Sequence, residues 1–270
     1  MIAIGGRSNL SETSEAIKKA ASSAGRPEPK VLELRLDVTS RESVDGAAAQ
    51  IRKEFGRIDI VVNNAGLFMG RGLVADTDPE AWWDTMTVNL KGPYLVMRAL
   101  LPLMLETGAD GLKTFVTVAS VGALLRTPSA SAYQTSKMAA LRLTEFLNSE
   151  YSDKGVIAFS IHPGNILTDM TADPGAPLPD YLVPGEFYPH LLCKTPFGYE
   201  KKMAKLLTIY RFAVFVDTVE LAGDSIVYLT AKRREWLGGR YVNLTWDLPE
   251  LMGKEEEIVK NDKLKVQLVL

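Results

Sequence analysis

The sequence predicts an α/β fold in which a parallel sheet is covered by helices on both faces. Two observations carry this: strand-like and helix-like segments alternate nearly from end to end, and the run over 58–62 reads as a buried-type strand. A third is size, because 270 residues suit one large domain.

The elements follow in order. Met1-Ile-Ala-Ile-Gly-Gly-Arg7 opens as a strand, and residues 31–36 alternate like a second. Helical spacing follows over 43–55, then an apolar strand over 58–62 closing on Asn63-Asn64-Ala65-Gly66. Pro79 starts a long helix through Leu105, with Asp78 as its N-cap and proline in the first turn. A strand over 114–118, a helix over 133–150 and a strand over 156–161 come next, the last ending on His162-Pro163-Gly164. A helix over 219–229 and a final strand over 240–245 complete the series. The tail, 250–270, pairs a mixed-charge helical part with an apolar end that docks on the body or on a partner subunit.

Residues 168–216 break the rhythm. They carry Pro174, Pro177, Pro179, Pro184, Pro189 and Pro196 among aromatics such as Tyr181, Phe187, Tyr188 and Phe197. A connection this long in a compact domain is uncommon without a function, and its aromatics disfavour disorder. It reads as a substrate-covering segment with a short helix over 201–210, or equally as an oligomer contact.

Composition narrows the function. A net charge of −2 without a basic block argues against nucleic acid as a partner. The single cysteine, Cys193, has no internal disulfide partner, and His162 and His190 are too few for a zinc site, so no metal is expected. No run approaches the roughly 18 apolar residues that span a bilayer. Without a visible signal peptide, a cytoplasmic location is the expectation.

The chemistry centres on Tyr133-Gln-Thr-Ser-Lys137, which places a phenol and an ammonium on one face of a helix. A unit charge ~4 Å away contributes roughly 4 kcal/mol at an effective dielectric of ~20, enough to lower a phenol by about three pKa units. Such a phenol exchanges protons with a carbonyl or an alcohol near neutral pH. The motif alone is common, and Tyr228-Leu-Thr-Ala-Lys232 repeats it without chemistry nearby. Tyr133 differs because Ser120 ends a strand thirteen residues earlier, where a parallel sheet delivers side chains to a ligand crevice. Asn89 sits inside a helix that does not favour asparagine, which predicts a bent helix whose Asn89 holds a water joined to Lys137.

With Asn89, Ser120, Tyr133 and Lys137 at these spacings, the chain resembles the short-chain dehydrogenase/reductase family from residue 2 to about 248. The resemblance implies a Rossmann-like three-layer fold and a homodimer or homotetramer built through the 79–105 and 133–150 helices. In similar proteins the position of Asp37 contacts adenine, Asn63 and Asn64 lie against the adenosine half, and Ile166 and Thr168 bind the nicotinamide and phosphates. Arg7 stands where NADP-preferring members hold the 2′-phosphate, which a guanidinium suits better than an acid does. Arg98 either approaches the cofactor or makes a surface ion pair. The implied activity is NADP(H)-dependent interconversion of a secondary alcohol and a ketone, with transfer of the 4-pro-S hydrogen and Tyr133 and Lys137 also touching the cofactor. The aromatic segment suggests a bulky apolar small-molecule substrate, as in secondary metabolism.

One part of the family pattern is missing. The Thr-Gly-x-x-x-Gly-x-Gly turn, with its strand and helix, belongs before Met1, so the fold is expected to lack its first strand and helix. Gly66, Gly70 and Gly72 imitate the glycine spacing, but a phosphate turn must open directly into a helix and the next helix starts only at Pro79. Losing a central strand leaves the 2–4 and 58–62 strands each with an unpaired edge. Either the sheet closes up, another segment fills the slot, or the chain begins upstream. The alternative function is a truncated, cofactor-free protein that binds a partner or catalyses a redox-neutral isomerisation or cyclisation.

Overall fold

The computed structural model describes residues 1–168, 170 and 217–267. The 168–216 segment, with its proposed 201–210 helix, therefore lies almost wholly outside the described residues.

Among the described residues six strands form: β1 (Ile2–Gly6), β2 (Val31–Arg35), β3 (Ile60–Asn63), β4 (Thr114–Val118), β5 (Ile157–His162) and β6 (Tyr241–Asn243). Eight α-helices accompany them: α1 (Ser11–Ser23), α2 (Arg41–Phe55), α3 (Pro79–Met86), α4 (Gly92–Glu106), α5 (Ser131–Tyr151), α6 (Val219–Thr230), α7 (Leu248–Met252) and α8 (Glu255–Lys260). All strand pairs are parallel, as an α/β fold requires.

The pairing falls into two sheets, β1-β2 and β3-β4-β5-β6. The sheet has not closed up, and no other described segment fills the slot. Both β1 and β3 keep one unpaired edge among the described residues. A shared core nonetheless joins them: Ala3, Leu32 and Leu34 belong to the same cluster as Val61, Phe115 and Ala158.

Alternation explains the layers. On β5, Ile157, Phe159 and Ile161 face Leu229, Leu237, Val242 and Leu248 on one side of the sheet. Ala158 joins the opposite cluster with α2, α4 and Leu147 of α5. Every residue of β4 and β5 is buried, Thr114, Thr117, Ser160 and His162 included, as strands covered on both faces require.

The long helix read over 79–105 is in fact interrupted. Asp78 caps α3 as expected, accepting from the amides of Glu80 and Ala81. Thr87–Lys91 then widens into a π-helical turn centred on Asn89, and α4 begins at Gly92. Such turns cluster at functional sites. Helix α1 turns Ser14, Ile17, Lys18 and Ala21 inward at helical spacing, and of these only Ser14 is fully buried. In the tail, Val266 packs against Ala119, Leu141 and Tyr241, so that part docks on the body. No helix among the described residues is long and apolar enough to cross a membrane.

Candidate active site

The quartet converges where β4 ends. After Val118 the chain leaves the sheet, and Ser120 caps a 3-10 turn by accepting from the Gly122 amide at 3.0 Å. Helix α5 then begins at Ser131, which puts Tyr133 in its first turn and Lys137 one turn further on. A β-carbon on Gly122 would stand 3.2 Å from Ser120 Oγ and 3.5 Å from Tyr133 Cε1, so the two side chains meet beside Gly122.

Lys137 is buried and donates to the Val118 carbonyl at 2.8 Å. Its Nζ lies 5.8 Å from the centre of the Tyr133 ring. Burial lowers the ammonium to about 8. The phenol departs from the sequence expectation: desolvation holds Tyr133 above its ordinary value, and the hydrogen bond with Ser120 offsets only part of that. The reason is that both groups leave water together. Desolvation disfavours the very ammonium that would lower the phenol.

Asn89 is buried, and its amide is fully employed. It accepts from the Leu67 amide at 2.7 Å and donates to the Leu67 carbonyl at 2.8 Å and to Ser136 Oγ at 2.9 Å. It therefore ties the loop after β3 to α5. Gly66 lies in the same cluster, because a β-carbon there would meet Lys137 Nζ at 3.5 Å and Asn89 Oδ1 at 3.6 Å.

The expected cofactor residues occupy several places. Asn63 ends β3, buried, with its Nδ2 lacking a hydrogen-bond partner. Asn64 beside it is exposed. Asp37 follows β2 and closes a turn by accepting from the Thr39 amide and hydroxyl at 2.9 and 2.7 Å, contacts that lower its carboxyl. Arg7, exposed just after β1, is near enough to add to that lowering. Ile166 forms a parallel bridge to Asp217, whose carboxylate accepts from the Asn165 amide at 2.7 Å. Thr168 stands at the margin of the described residues. Arg98 pairs with Asp45 of α2 at 3.2 Å, the surface ion pair weighed as one of its two readings.

The glycine-spaced loop is no phosphate turn. Gly70 and Gly72 have φ of 67° and 142°, a 3-10 turn over Val74–Asp76 follows, and α3 waits until Pro79. The second Tyr-Lys pair is likewise structural, with Tyr228 on α6 carrying the Arg234 guanidinium 5.0 Å from its ring centre.

Sequence reasoning missed Phe68, whose ring stacks on Tyr133 with centres 4.5 Å apart. It also missed Thr85 and Ser136, which anchor the loop and Asn89. Nothing in their spacing marks them, since each contact joins segments distant in the chain. No group of three or more His, Cys, Asp or Glu among the described residues could hold a metal ion.

Comparison with known proteins gives the family and the fold. The family model described as short chain dehydrogenase matches residues 6–177. The chain is 43% identical over 268 residues to a short chain dehydrogenase, pigC, of Monascus ruber, covering 99% of this chain and 78% of that one. It is 46% identical over 269 residues to the short chain dehydrogenase mpl6 of Monascus purpureus, covering 100% and 80%. Among solved structures, an alcohol dehydrogenase from Thermococcus sibiricus complexed with 5-hydroxy-NADP aligns with a TM-score of 0.55 at 26% identity, covering 65% of this chain and 70% of that one. Levodione reductase, at 21% identity, shares the fold, with a TM-score of 0.69 over 89% and 84% of the two chains. The chain therefore belongs to the short-chain dehydrogenase family and is, by that membership, an oxidoreductase.

Proposed function

We propose that the protein interconverts a secondary alcohol and a ketone with NADP(H), on a bulky apolar substrate. The observation that carries this reading is the meeting of Ser120, Tyr133 and Lys137 at the end of β4, with Asn89 and Gly66 against the same lysine. A nicotinamide dinucleotide fits the residues present. The unpartnered buried amide of Asn63 seeks a polar group, and the Met170 side chain against Gly66 beside Lys137 would have to give way to the nicotinamide end. Lys137 and Tyr133 would hold the nicotinamide ribose, with Ile166 and Thr168 at the carboxamide and phosphates and Asn63 and Asn64 along the adenosine half. Asp37 would meet the adenine, Arg7 a 2′-phosphate, and Arg98 remains the more distant candidate.

Bound NADP(H) would supply or accept the hydride. Tyr133 passes the proton to or from the substrate oxygen, and Ser120 donates a hydrogen bond to that oxygen as its charge develops. A phenol held high by burial is a poor base until a cation is set beside it, so Lys137 must be charged for turnover in the oxidative direction. Asn89 steadies the relay behind Lys137. The Monascus relatives support a place in secondary metabolism. Assembly into a dimer or tetramer would cover Tyr94 of α4 and Phe146 of α5, which are 50% and 56% exposed.

A second reading has its own observation. The unpaired edges of β1 and β3, together with the raised phenol, favour a cofactor-free protein that binds a partner or catalyses a redox-neutral isomerisation or cyclisation. Titration with NADPH, followed by fluorescence quenching and thermal shift, separates the two. Saturable binding that NADH matches only weakly supports the first reading, and no binding overturns it. Without binding, redox-neutral turnover that disappears in Tyr133→Phe identifies an isomerase or cyclase.

A further inference from the structure

The loop from Gly66 to Gly72 is more rigidly held than a connection between a strand and a helix needs to be. The Asn89 amide pins the Leu67 backbone through both its N–H and its carbonyl. The Thr85 hydroxyl, fully buried on α3, does the same for Met69 at 3.1 Å on each side. Gly70 packs so tightly on α3 that a β-carbon would lie 2.9 Å from the Trp82 backbone, and the Gly72 amide donates to the Ser129 carbonyl. Three backbone anchors in six residues set two side chains in place. Phe68 stacks on Tyr133, and the Arg71 guanidinium lies 4.3 Å from the centre of the Phe68 ring.

A guanidinium lying on an aromatic face keeps its N–H donors pointing outward, free for a planar acceptor. Arg71 is exposed and makes no ion pair among the described residues, although Asp76, Asp78, Glu80 and Asp84 occupy the adjoining 3-10 turn and α3. Asp78 is committed to capping α3. Around Arg71 the surface is apolar, with Met69 47%, Leu73 59% and Val74 78% exposed. An unpaired fork one aromatic ring away from the reacting phenol, with exposed apolar neighbours in the chain, is suited to a carboxylate on an otherwise apolar molecule.

We propose that Arg71, held by Phe68, is a specificity-determining residue that docks a carboxylate-bearing apolar ketone or alcohol against Tyr133. The proposal rests on the oxidoreductase reading above and names its substrate class. Arg71 touches the carboxylate. Phe68 is a positioning residue, acting through Arg71 and Tyr133.

The test pairs 4-benzoylbenzoate with its uncharged amide, using the full chain, Arg71→Leu and Phe68→Leu. With NADPH present, Arg71→Leu should lower kcat/KM for the carboxylate through KM by about 10- to 100-fold, the size of one charge-assisted hydrogen bond. The amide should change little, and added salt should shrink the wild-type preference. Phe68→Leu should also shift the pH profile of kcat, which Phe68→Tyr should restore. A second readout needs no cofactor: quenching of tryptophan fluorescence by 4-benzoylbenzoate, weakened in Arg71→Leu at unchanged thermal stability. Equal treatment of carboxylate and amide by wild type and Arg71→Leu, with NADPH bound, overturns this inference and leaves the proposed activity standing. Arg71-dependent quenching without NADPH binding does the reverse. Absence of both kinds of binding overturns both.

Discussion

The β3–β6 half and the β1–β2 half of this molecule obey different rules. In the first, β4 and β5 are buried at every residue and flanked on both edges, and Ser120 after β4 meets Tyr133 and Lys137 of α5. In the second, Leu34 is the sole buried strand residue of β1 and β2, and α1 buries only Ser14. The lesson is that the acid–base apparatus stands on a finished core, while the half expected to receive the adenosine end of a cofactor has a free edge. A ligand lying across both halves would add stability where it is scarcest, since binding to the folded state alone stabilises it by mass action.

Four changes sharpen or break this contrast. The largest concerns chemistry in the finished half. Tyr133→Phe should lower kcat by about 10²- to 10⁴-fold, the usual worth of a positioned general acid, while leaving the melting temperature close to wild type. A matching loss of stability would mean that the hydroxyl is structural.

Next comes the buried ammonium. Lys137 falls to about 8 in the folded protein from 10.5. Between those values the unfolded chain keeps a proton that the folded chain has shed, so stability rises with pH across that window. The gain should approach about 3 kcal/mol over the full interval. Tyr133, raised in the folded state, works in the opposite sense above pH 10, so urea unfolding at pH 7, 8, 9 and 10 isolates the lysine. The rise should vanish in Lys137→Met, and an unchanged slope would show that another group titrates there.

The seam between the halves supplies the third. Gly92 starts α4 against the residue following Asp37, and a β-carbon there would stand 2.9 Å from Val38 Cγ2. Val38 is β-branched and cannot turn aside easily, so Gly92→Val should cost about 1–3 kcal/mol by overpacking. Hydrogen exchange would locate the damage, with β1 and β2 amides losing protection before those of β4. Uniform loss would mean that the two halves unfold as one.

The smallest effect lies within the looser half. Gly46 is inside α2, and a β-carbon there meets nothing within 4 Å. Gly46→Ala should therefore stabilise the protein by about 0.5–1 kcal/mol, read as a modest rise in melting temperature without change in activity.

Much of this was legible in the chain. The strands at 114–118 and 156–161 announced themselves by their β-branched and apolar residues, although they also bury Thr114, Thr117 and Ser160. The cap at Asp78 and the helix carrying Tyr133 and Lys137 followed from local rules. Helix α1 left a faint signal because two of the four positions it turns inward, Ser14 and Lys18, are polar. The break at Asn89 was expected only as a bend, since a π-helical turn depends on what the asparagine finds across the fold.

The amino-acid order alone determined the fold class, the meeting of a phenol and an amine one helical turn apart, and the false promise of the glycines at 66, 70 and 72. Those properties arise from neighbours a few residues away, where backbone geometry sets the outcome. Only the tertiary structure decided that burial raises Tyr133 and lowers Lys137, that Phe68 and Arg71 stack above the phenol, and that the sheet stands in two pieces. Solvation and stacking depend on which distant segments come together, and no spacing along the chain records that.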